Sequence, residues 1–254
     1  RLSFYRQFSA VSLACRSPGS RLYGKPLQNL DIENGITVID NIIACLSSFD
    51  CIDSVVLGIA EGSDNFPFVD YAKTNGLGCI IGDEIDVLSR LIQCGEHASA
   101  TDIFRVTSES PFPYFEMIES NWADHCDNDN DATFLDDIID GCGFEIIKLN
   151  ALKESHDKGD IKHRSELCTL FIREHEDDFQ IQRLYPPEEL NRKDLRFTVD
   201  YPEDLIVCRA VYEKFKKNAP MIPLSNAVRF LDNNESLKKL IAPFCESGYS
   251  SMYL

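Results

Sequence analysis

Short apolar segments alternate with longer amphipathic ones over the first half of the chain. Four segments are of strand length and mostly rich in β-branched residues: 8–15, 54–60, 78–82 and 102–107. Four longer segments repeat apolar residues at the i, i+3, i+4 spacing of an amphipathic helix: 36–49, 66–76, 85–98 and 114–123. Because this alternation is typical of parallel strands joined by right-handed helical crossovers, we predict an α/β fold with a mostly parallel sheet and helices on both faces.

The second half of the chain has a less regular pattern. Its predicted elements are strands at 144–149 and 179–184, helices at 164–175 and 201–215, and loops at 156–163 and 185–194. We find no internal repeat and no linker rich in Gly, Ser or Pro. We therefore predict one mixed α/β domain over residues 1–218, followed by a C-terminal helical segment over 219–254.

Residues 201–215 give the strongest helix signal in the chain. Asp200 is placed to cap the first turn, Pro202 suits that turn, and Glu203 and Asp204 complement the positive end of the helix dipole. A capping role for Asp200 is therefore predicted, alongside any chemical role of its carboxylate.

The charge balance limits the classes of partner. The chain of 254 residues carries 42 Asp and Glu against 25 Lys and Arg, a formal net charge of −17. Phosphate backbones and anionic membrane surfaces would be repelled everywhere except at a local basic site. We therefore expect no nucleic-acid partner and no membrane partner, but a small molecule.

The cysteines indicate the compartment. None of the ten is spaced C-x-x-C, and most lie in apolar runs, where a reduced cysteine packs as a small hydrophobe. No apolar run approaches the roughly 18 to 20 residues of a membrane span. These features predict a protein of the reducing cytoplasm.

Basic residues are concentrated at the start of this acidic chain. The first thirty residues contain no acid, and their basic side chains are Arg1, Arg6, Arg16, Arg21 and Lys25. In an open α/β sheet, ligands bind at the carboxyl ends of the strands, so the loop after the first strand is the expected place for a phosphate. The alternative is that these side chains are simply solvated.

The loop resembles a Walker phosphate loop in part. Residues 19–25, "GSRLYGK", match G-x-x-x-x-G-K, but Pro26 stands where a Ser or Thr would hold magnesium. Proline also biases Lys25 away from helical dihedral angles. We therefore reject the Walker interpretation and expect an extended loop whose basic side chains, Arg16, Arg21 and Lys25, reach into one site.

Six segments in order carry a resemblance to a known family. They are "R-x-x-x-x-R-L-x-G-K-P-L" at 16–27, "GDEIDVLSR" at 82–90, "FRVTSESPF" at 104–112, "DGCGFEII" at 140–147, "HRSELCT" at 163–169 and "LRFTVDYPEDL" at 195–205. Together they span roughly residues 8 to 217. The chain resembles the cytidylyltransferases that activate sugar acids and related sugars, including the 3-deoxy-manno-octulosonate and acylneuraminate enzymes and spore-coat polysaccharide homologues.

The resemblance implies a fold and a reaction. The fold would be a Rossmann-like nucleotidyltransferase sheet with a small mixed subregion, about 130–195, for the acceptor and for a homodimer contact. In the reaction, a hydroxyl of a small anionic sugar-like acceptor attacks the α-phosphate of CTP and pyrophosphate leaves, for polysaccharide or glycoconjugate synthesis. Such chemistry depends mainly on positioning and on neutralising charge.

The resemblance also assigns residues to the site. Arg16, Lys25 and Arg21 would hold the triphosphate, and Glu109 and Asp200 would ligate Mg²⁺. The further nucleotide-binding positions are Ala14, Cys15, Gly19, Gly82 and Thr107. The acceptor-binding positions are Asp140, Glu145, His163, Arg164 and Glu166, and we expect Arg164 to be the partner of Glu145 because its apolar neighbourhood makes an unpaired carboxylate costly.

One departure from the family pattern keeps alternatives open. Ser108 and Glu109 replace the usual Gly-Asp, and the extra methylene of Glu moves the carboxylate oxygens by about 1 Å or more. The alternatives are a nucleotide-binding homologue that has lost catalysis, and a nucleotidyltransferase that uses another base or a phosphonate acceptor.

Overall fold

The computed structural model describes residues 7–19 and 21–251, so Arg1 and Arg6 lie outside the described residues. The strands are Ser9–Cys15 (β1), Asn29–Asp31 (β2), Ile36–Thr37 (β3), Ser54–Ala60 (β4), Gly78–Gly82 (β5), Asp102–Arg105 (β6), Ala132–Leu135 (β7), Glu145–Lys148 (β8) and Ile181–Leu184 (β9). The helices are Val38–Leu46 (α1), Phe66–Thr74 (α2), Val87–His97 (α3), Ile118–Asp127 (α4), Leu149–Lys158 (α5), Leu170–Glu174 (α6), Pro202–Phe215 (α7), Leu224–Asp232 (α8) and Glu235–Ser251 (α9).

Seven of these strands form one sheet in the order β5-β4-β1-β6-β8-β7-β9. The pairs β5–β4, β4–β1, β1–β6 and β7–β9 are parallel, whereas β8 runs antiparallel to both of its neighbours. Strands β2 and β3 form a separate antiparallel pair. The predicted mostly parallel α/β sheet is confirmed, and its parallel half brings the carboxyl ends of β1, β4, β5 and β6 to one edge.

The hydrophobic pattern located most elements because their buried positions follow it. Strand β4 buries six of its seven residues, and the predictions for β4 and β5 match their bounds. Helix α1 begins where Thr37 accepts from the backbone N–H of Asp40 and the Asp40 carboxylate accepts from the N–H of Thr37, a capping box.

The helix predicted over 164–175 is wrong over its first half, since α6 begins only at Leu170. The Ser165 hydroxyl donates to the Lys162 carbonyl and accepts from the N–H of Leu167, and the Glu166 carbonyl accepts from Arg105. These bonds take up backbone groups that a helix would need.

Helix α5 was not predicted, and it contradicts the loop predicted from residue 156. It follows β8 directly, without a side-chain cap at Lys148. Its buried face consists of Leu149, Ala151, Leu152 and Ser155. The segment has no capping residue at its start and follows a strand without a loop. It therefore lacks the boundary signals by which a helix is recognised in a sequence.

The C-terminal helices α8 and α9 pack on the main body of the protein. Leu224, Leu231, Ile241 and Cys245 are buried and belong to the same hydrophobic cluster as Leu13 of β1. The domain boundary at residue 218 stays a prediction. Within the residues the structure describes, no helix combines the length and the hydropathy needed to cross a bilayer.

Candidate functional site

The basic loop leaves β1 at the carboxyl edge of the sheet. Gly24 adopts a left-handed conformation (φ 55°), and its N–H donates to the Ser17 carbonyl at 3.0 Å. Pro26 then begins a single 3-10 turn, Lys25–Leu27, because its fixed φ suits the first turn of a helix. The expectation that the loop stays extended is therefore wrong at Lys25–Leu27.

Asn65 ties this loop to the end of β4. Its side-chain oxygen accepts from the N–H of Ser17 at 2.6 Å, and its amide nitrogen donates to the Glu61 carbonyl at 3.1 Å. Asn65 is almost fully buried, so both bonds are shielded from water. Asn65 was not predicted as a site residue, since its signal in the sequence is a lone amide between a strand and a helix.

Lys25 joins the two carboxylates that were predicted to hold a metal. Its Nζ lies 2.5 Å from Oδ1 of Asp200 and 3.8 Å from Oε1 of Glu109. Each of the three side chains is between a fifth and a third exposed, so the group is open to a ligand. The structure thus brings Lys25, Glu109 and Asp200 together at the carboxyl edge of the sheet.

The charges of the other two loop residues also act on these carboxylates. Burial raises the pKa of Glu109, and the Asp200 and Glu166 carboxylates add to that effect, whereas Lys25 and Arg16 oppose it. Burial also acts to raise the pKa of Asp200, but Lys25, Arg196 and Arg21 together hold it below its usual value. Lys25 thus contacts both acids, while the charge of Arg16 acts on Glu109 and that of Arg21 on Asp200.

Backbone and hydroxyl contacts fix Glu109 in this position. The Ser108 hydroxyl donates to the Ala14 carbonyl at the end of β1 at 2.8 Å, and the Glu109 carbonyl accepts from the N–H of Val199 at 2.9 Å. The turn that holds Ser108 and Glu109 is thus bonded on one side to the first strand and on the other to the segment that carries Asp200.

Asp200 does not cap helix α7, which corrects the structural role predicted for it. The Asp204 carboxylate accepts from the backbone N–H groups of both Asp200 and Tyr201 at 2.9 Å. Asp204 therefore satisfies the start of the helix, and the carboxylate of Asp200 turns to Lys25 and Arg196. The acid three residues into the helix was visible in the sequence, where it was credited only with complementing the dipole.

Arg196 is a further site residue that was not predicted. It is 2% exposed, and its Nη2 donates to Oδ2 of Asp200 at 2.6 Å. A buried guanidinium requires paired acids, and a lone arginine within the apolar run "LRFTV" was the available signal.

The remaining predicted nucleotide positions surround the same strand ends. Gly19 and Gly82 occupy tight places, since a Cβ at either would lie within 3.0 Å of another heavy atom. Cys15 is buried, which raises the pKa of its thiol far above the usual value. Thr107 is exposed, and its hydroxyl donates to that of Ser110 at 2.5 Å.

Arg90 ties these strand ends together. It is 2% exposed, and its Nη1 donates to the carbonyls of Gly58 at 2.9 Å and Cys15 at 3.3 Å. Arg90 was not predicted as a site residue. Like Arg196, it stands within an apolar pattern, here that of helix α3.

Glu145 and Arg164, two of the predicted acceptor residues, do not pair with each other. Glu145 bonds Arg105 at 2.7 Å, Arg173 at 2.9 Å and the Thr169 hydroxyl at 2.8 Å, so the expectation that Arg164 is its partner is wrong. Arg164 instead donates to the carbonyl of His156. The reason is register: Arg105 stands opposite Glu145 in the β6–β8 pair.

Of the other acceptor candidates, Glu166 is linked to Glu145 by Arg105, which donates to the Glu145 carboxylate and to the Glu166 carbonyl. His163 is buried and bonds Glu174 at 2.8 Å. Asp140 is buried beside Arg196. Glu166 is exposed, and its charge acts on Glu109. Glu166 is thus linked to the Lys25 group by its charge, which acts on Glu109. Asp140 is linked to it through Arg196, which also bonds Asp200.

The Glu109–Asp200 pair has the chemistry of a partial magnesium site. Both side chains supply hard carboxylate oxygens and both reach one cation, the Lys25 ammonium. Within the described part of the chain, no group of three or more His, Cys, Asp or Glu side chains is arranged to hold a metal ion. The pair therefore fits an ion that takes its other ligands from phosphate and water.

Two curated relatives match most of the chain. An uncharacterized protein of Methanocaldococcus jannaschii is 23% identical over 239 residues, covering 93% of this chain and 96% of the relative. The spore coat polysaccharide biosynthesis protein SpsF of Bacillus subtilis is 25% identical over 183 residues, covering 72% of this chain and 76% of the relative. No protein-family model matches the sequence.

Solved structures share the fold. A cytidylyltransferase from Leptospira borgpetersenii superposes with a TM-score of 0.80 at 17% identity, over 91% of this chain and 96% of that one. A CMP:2-keto-3-deoxy-manno-octonic acid synthetase complexed with CTP gives a TM-score of 0.61 at 13% identity, over 82% of this chain and 99% of that one. The resemblance to cytidylyltransferases that the sequence motifs carried is thus confirmed at the level of the fold.

Proposed function

We propose that this chain, which has the fold of the cytidylyltransferases, transfers CMP from CTP to a hydroxyl of a small anionic sugar and releases pyrophosphate. The observation that carries the proposal is the position of Lys25, whose ammonium lies between the Glu109 and Asp200 carboxylates at the carboxyl edge of the parallel strands. This is the edge at which open α/β sheets bind ligands.

The relatives support the choice of substrates. The similar synthetase was solved with CTP, and its name gives an acidic sugar as the group that it activates. The Bacillus subtilis relative is named for spore coat polysaccharide biosynthesis. We therefore take a keto-sugar acid or a similar anion as the acceptor class and polysaccharide or glycoconjugate synthesis as the purpose.

The basic loop would act on the triphosphate. Arg16 and Arg21 are exposed and Lys25 is partly so, and their charges converge on one place in a chain whose net charge is −17. Negative charge accumulates on the leaving pyrophosphate as the bond to the α-phosphate breaks. Lys25, assisted by Arg16 and Arg21, would bind the phosphates and offset that charge.

Glu109 and Asp200 would hold a magnesium ion together with the phosphates. Bound there, Mg²⁺ would neutralise phosphate charge and fix the triphosphate for in-line attack. Arg196 keeps Oδ2 of Asp200 occupied, so Oδ1, which now contacts Lys25, is the oxygen available to such a ligand. The metal site and the lysine site therefore share an oxygen.

A second candidate is a nucleotide-binding homologue without turnover. It is favoured by Glu109, which stands after Ser108 and whose pKa is raised by burial, so that the carboxyl gives up its proton to a cation less readily. A third is transfer from another nucleotide or to a phosphonate acceptor, because the described contacts do not read a base.

One experiment separates these candidates. The protein is incubated with CTP, UTP, GTP or ATP, with Mg²⁺ and with a panel of keto-sugar acids and phosphonates, and pyrophosphate release is measured beside a thermal shift for each nucleotide. Release with CTP and an acidic sugar supports the proposal. A thermal shift with no pyrophosphate release for any acceptor supports the second candidate. If CTP causes no release and no thermal shift, the proposal is overturned.

The expected assembly and compartment complete the proposal. We propose a homodimer formed through the region about 130–195, as the family resemblance implies. Light scattering that gives the mass of one chain, 28.8 kDa, would overturn it.

All ten cysteines are free thiols, which suits the predicted cytoplasmic location.

A further inference from the structure

The C-terminal helix α9 is linked to Asp200 through Arg196. Arg196 lies between the two: its Nη2 donates to Oδ2 of Asp200 at 2.6 Å, and its Nη1 donates to the Phe244 carbonyl of α9 at 2.8 Å. Arg196 is 2% exposed, so water has little access to its side chain and the two bonds are not readily exchanged for bonds to water. The orientation of Asp200 therefore depends on where α9 lies.

Helix α9 is fitted closely to this arginine. A Cβ at Gly248 would lie 2.5 Å from Oδ2 of Asp140 and 3.3 Å from Nη1 of Arg196, so only glycine allows the helix to approach. One residue later, the Tyr249 hydroxyl accepts from the N–H of Asp140 at 3.0 Å. The helix is thus bonded to the same short segment that carries Asp140.

An aromatic stack extends the contact to the basic loop. The Phe244 ring of α9 lies on the ring of Tyr201, with centroids 3.9 Å apart and planes inclined by 13°. The guanidinium of Arg21 lies 4.8 Å from the centroid of the same Tyr201 ring. Helix α9 therefore supports two members of the candidate site, Asp200 through Arg196 and Arg21 through Tyr201.

We infer that Arg196 is a positioning residue for Asp200, and that helix α9 holds Arg196 in place and so forms part of the nucleotide and cation site. Both Nη groups of Arg196 are bonded to the protein itself, one to Oδ2 of Asp200 and one to the Phe244 carbonyl. Arg196 acts by fixing which oxygen of Asp200 faces the ligand. The catalytic part of this inference rests on the proposed function, whereas its structural part does not.

The test uses Arg196→Lys and Gly248→Ala, with Ser236→Ala on the exposed face of α9 as the matched control. Lysine keeps the charge of Arg196 but cannot bond Asp200 and Phe244 at once. Alanine is a better helix former than glycine, so any loss in Gly248→Ala comes from the close approach and not from helix propensity. Circular dichroism and the melting temperature establish which variants fold.

The first measurement needs no enzymatic activity. NMR of ¹³C-labelled aspartate carboxyl groups follows the pKa of Asp200, whose resonance is identified by its absence in Asp200→Asn. We expect the pKa of Asp200 to rise in both Arg196→Lys and Gly248→Ala and to stay at the wild-type value in Ser236→Ala. An unchanged value in a folded Gly248→Ala overturns the role of α9, and an unchanged value in a folded Arg196→Lys overturns the role of Arg196.

The second measurement is the dependence of pyrophosphate release on Mg²⁺ and CTP. We expect kcat to fall by about 10- to 100-fold in both variants and the Mg²⁺ concentration for half-maximal rate to rise, with the KM for CTP nearly unchanged. A loss confined to the KM for CTP would overturn a positioning role. If the wild-type chain releases no pyrophosphate, the proposed function fails, and the NMR result still decides the role of α9 and Arg196.

Discussion

The Nζ of Lys25 lies 2.5 Å from Oδ1 of Asp200, although the two residues are 175 positions apart in the chain. The bond joins the loop after the first strand to the segment before helix α7, and Glu109 after strand β6 completes the group. A cation and two acids thus converge at the edge where open α/β sheets bind ligands, which supports the proposal that a metal triphosphate binds there.

Replacing Lys25 by methionine keeps the length and apolar stem of the side chain and removes its charge. Because Lys25 would offset charge on the leaving pyrophosphate, we expect kcat to fall by about 10²- to 10³-fold, the loss typical of one electrostatic contact in a transition state. Lys239→Met is the matched control, since Lys239 is 74% exposed and pairs only with Glu235 among the described contacts. Equal activity of Lys25→Met and wild type would exclude a catalytic role for Lys25.

Replacing Glu109 by aspartate distinguishes an active enzyme, in which Glu109 ligates Mg²⁺, from a homologue that has lost catalysis. If Glu109 ligates Mg²⁺ in an active enzyme, we expect Glu109→Asp to lower kcat by about 10-fold, because the oxygens retreat by about 1 Å. A gain of turnover in a wild-type chain that has none would instead support the degenerate homologue. Pyrophosphate release at saturating Mg²⁺ measures the difference.

The raised pKa of Glu109 predicts how magnesium dependence changes with pH. Burial raises this pKa, and a cation competes with the proton for the same carboxylate. We therefore expect Mg²⁺ to bind more weakly as the pH falls towards the pKa of Glu109. In Glu109→Gln the affinity should be low, and its residual pH dependence should be smaller than in wild type. Calorimetric titration with Mg²⁺ and CTP at several pH values tests this, and an identical pH profile in the two proteins would contradict it.

The burial of the Asp140 carboxyl leads us to expect that removing its charge makes the protein more stable. Burial raises its pKa to about 6, against the opposing charge of Arg196 and with added repulsion from Asp200 and Asp204. Because the folded state binds this proton more tightly than the unfolded state, the contribution of Asp140 to stability falls as the pH rises from about 4 to 6.

Asp140→Asn removes the buried charge and keeps the shape of the side chain. We expect it to raise the free energy of unfolding by about 3 kcal/mol at pH 7.5 and by about half as much at pH 5. Urea unfolding of both proteins at the two pH values measures the difference. A gain that is equal at both pH values, or a loss at pH 7.5, would show that the Asp140 charge is not the cause.

Glu145 predicts a variant that is less stable. Its carboxylate is 8% exposed and pairs with both Arg105 and Arg173. Glu145→Gln leaves two cations without their shared acid, so we expect a loss of about 3 to 5 kcal/mol, as for other broken buried pairs. The control is Lys158→Ala, which removes an exposed pair with Glu154 and should cost less than about 0.5 kcal/mol. Denaturant unfolding of both variants tests this, and similar small losses would show that the Glu145 pairs contribute little.

The amino-acid sequence by itself determined the class of fold and the elements of its parallel half. Strands β1 and β4 and helices α1 to α3 follow local patterns of buried positions, and the capping pair Thr37 and Asp40 lies within four residues. Such elements are set by interactions between neighbours in the chain, which a sequence displays directly. The family motifs likewise named Lys25, Glu109 and Asp200 as one site, which stays a prediction until it is tested in solution.

Only the tertiary structure decided which acidic and basic side chains form ion pairs. Glu145 pairs with Arg105 because antiparallel strands place them opposite each other, and Arg196 pairs with Asp200 beneath a helix that begins 39 residues further on, at Glu235. The sequence could state that a buried acid needs a cation, but not which cation, since the choice depends on strand order and helix packing. The bond between Asp200 and Lys25 also depends on the tertiary structure. Asp204 accepts from the N–H groups at the start of α7, so the Asp200 carboxylate is free of that role, and the fold places the basic loop beside it.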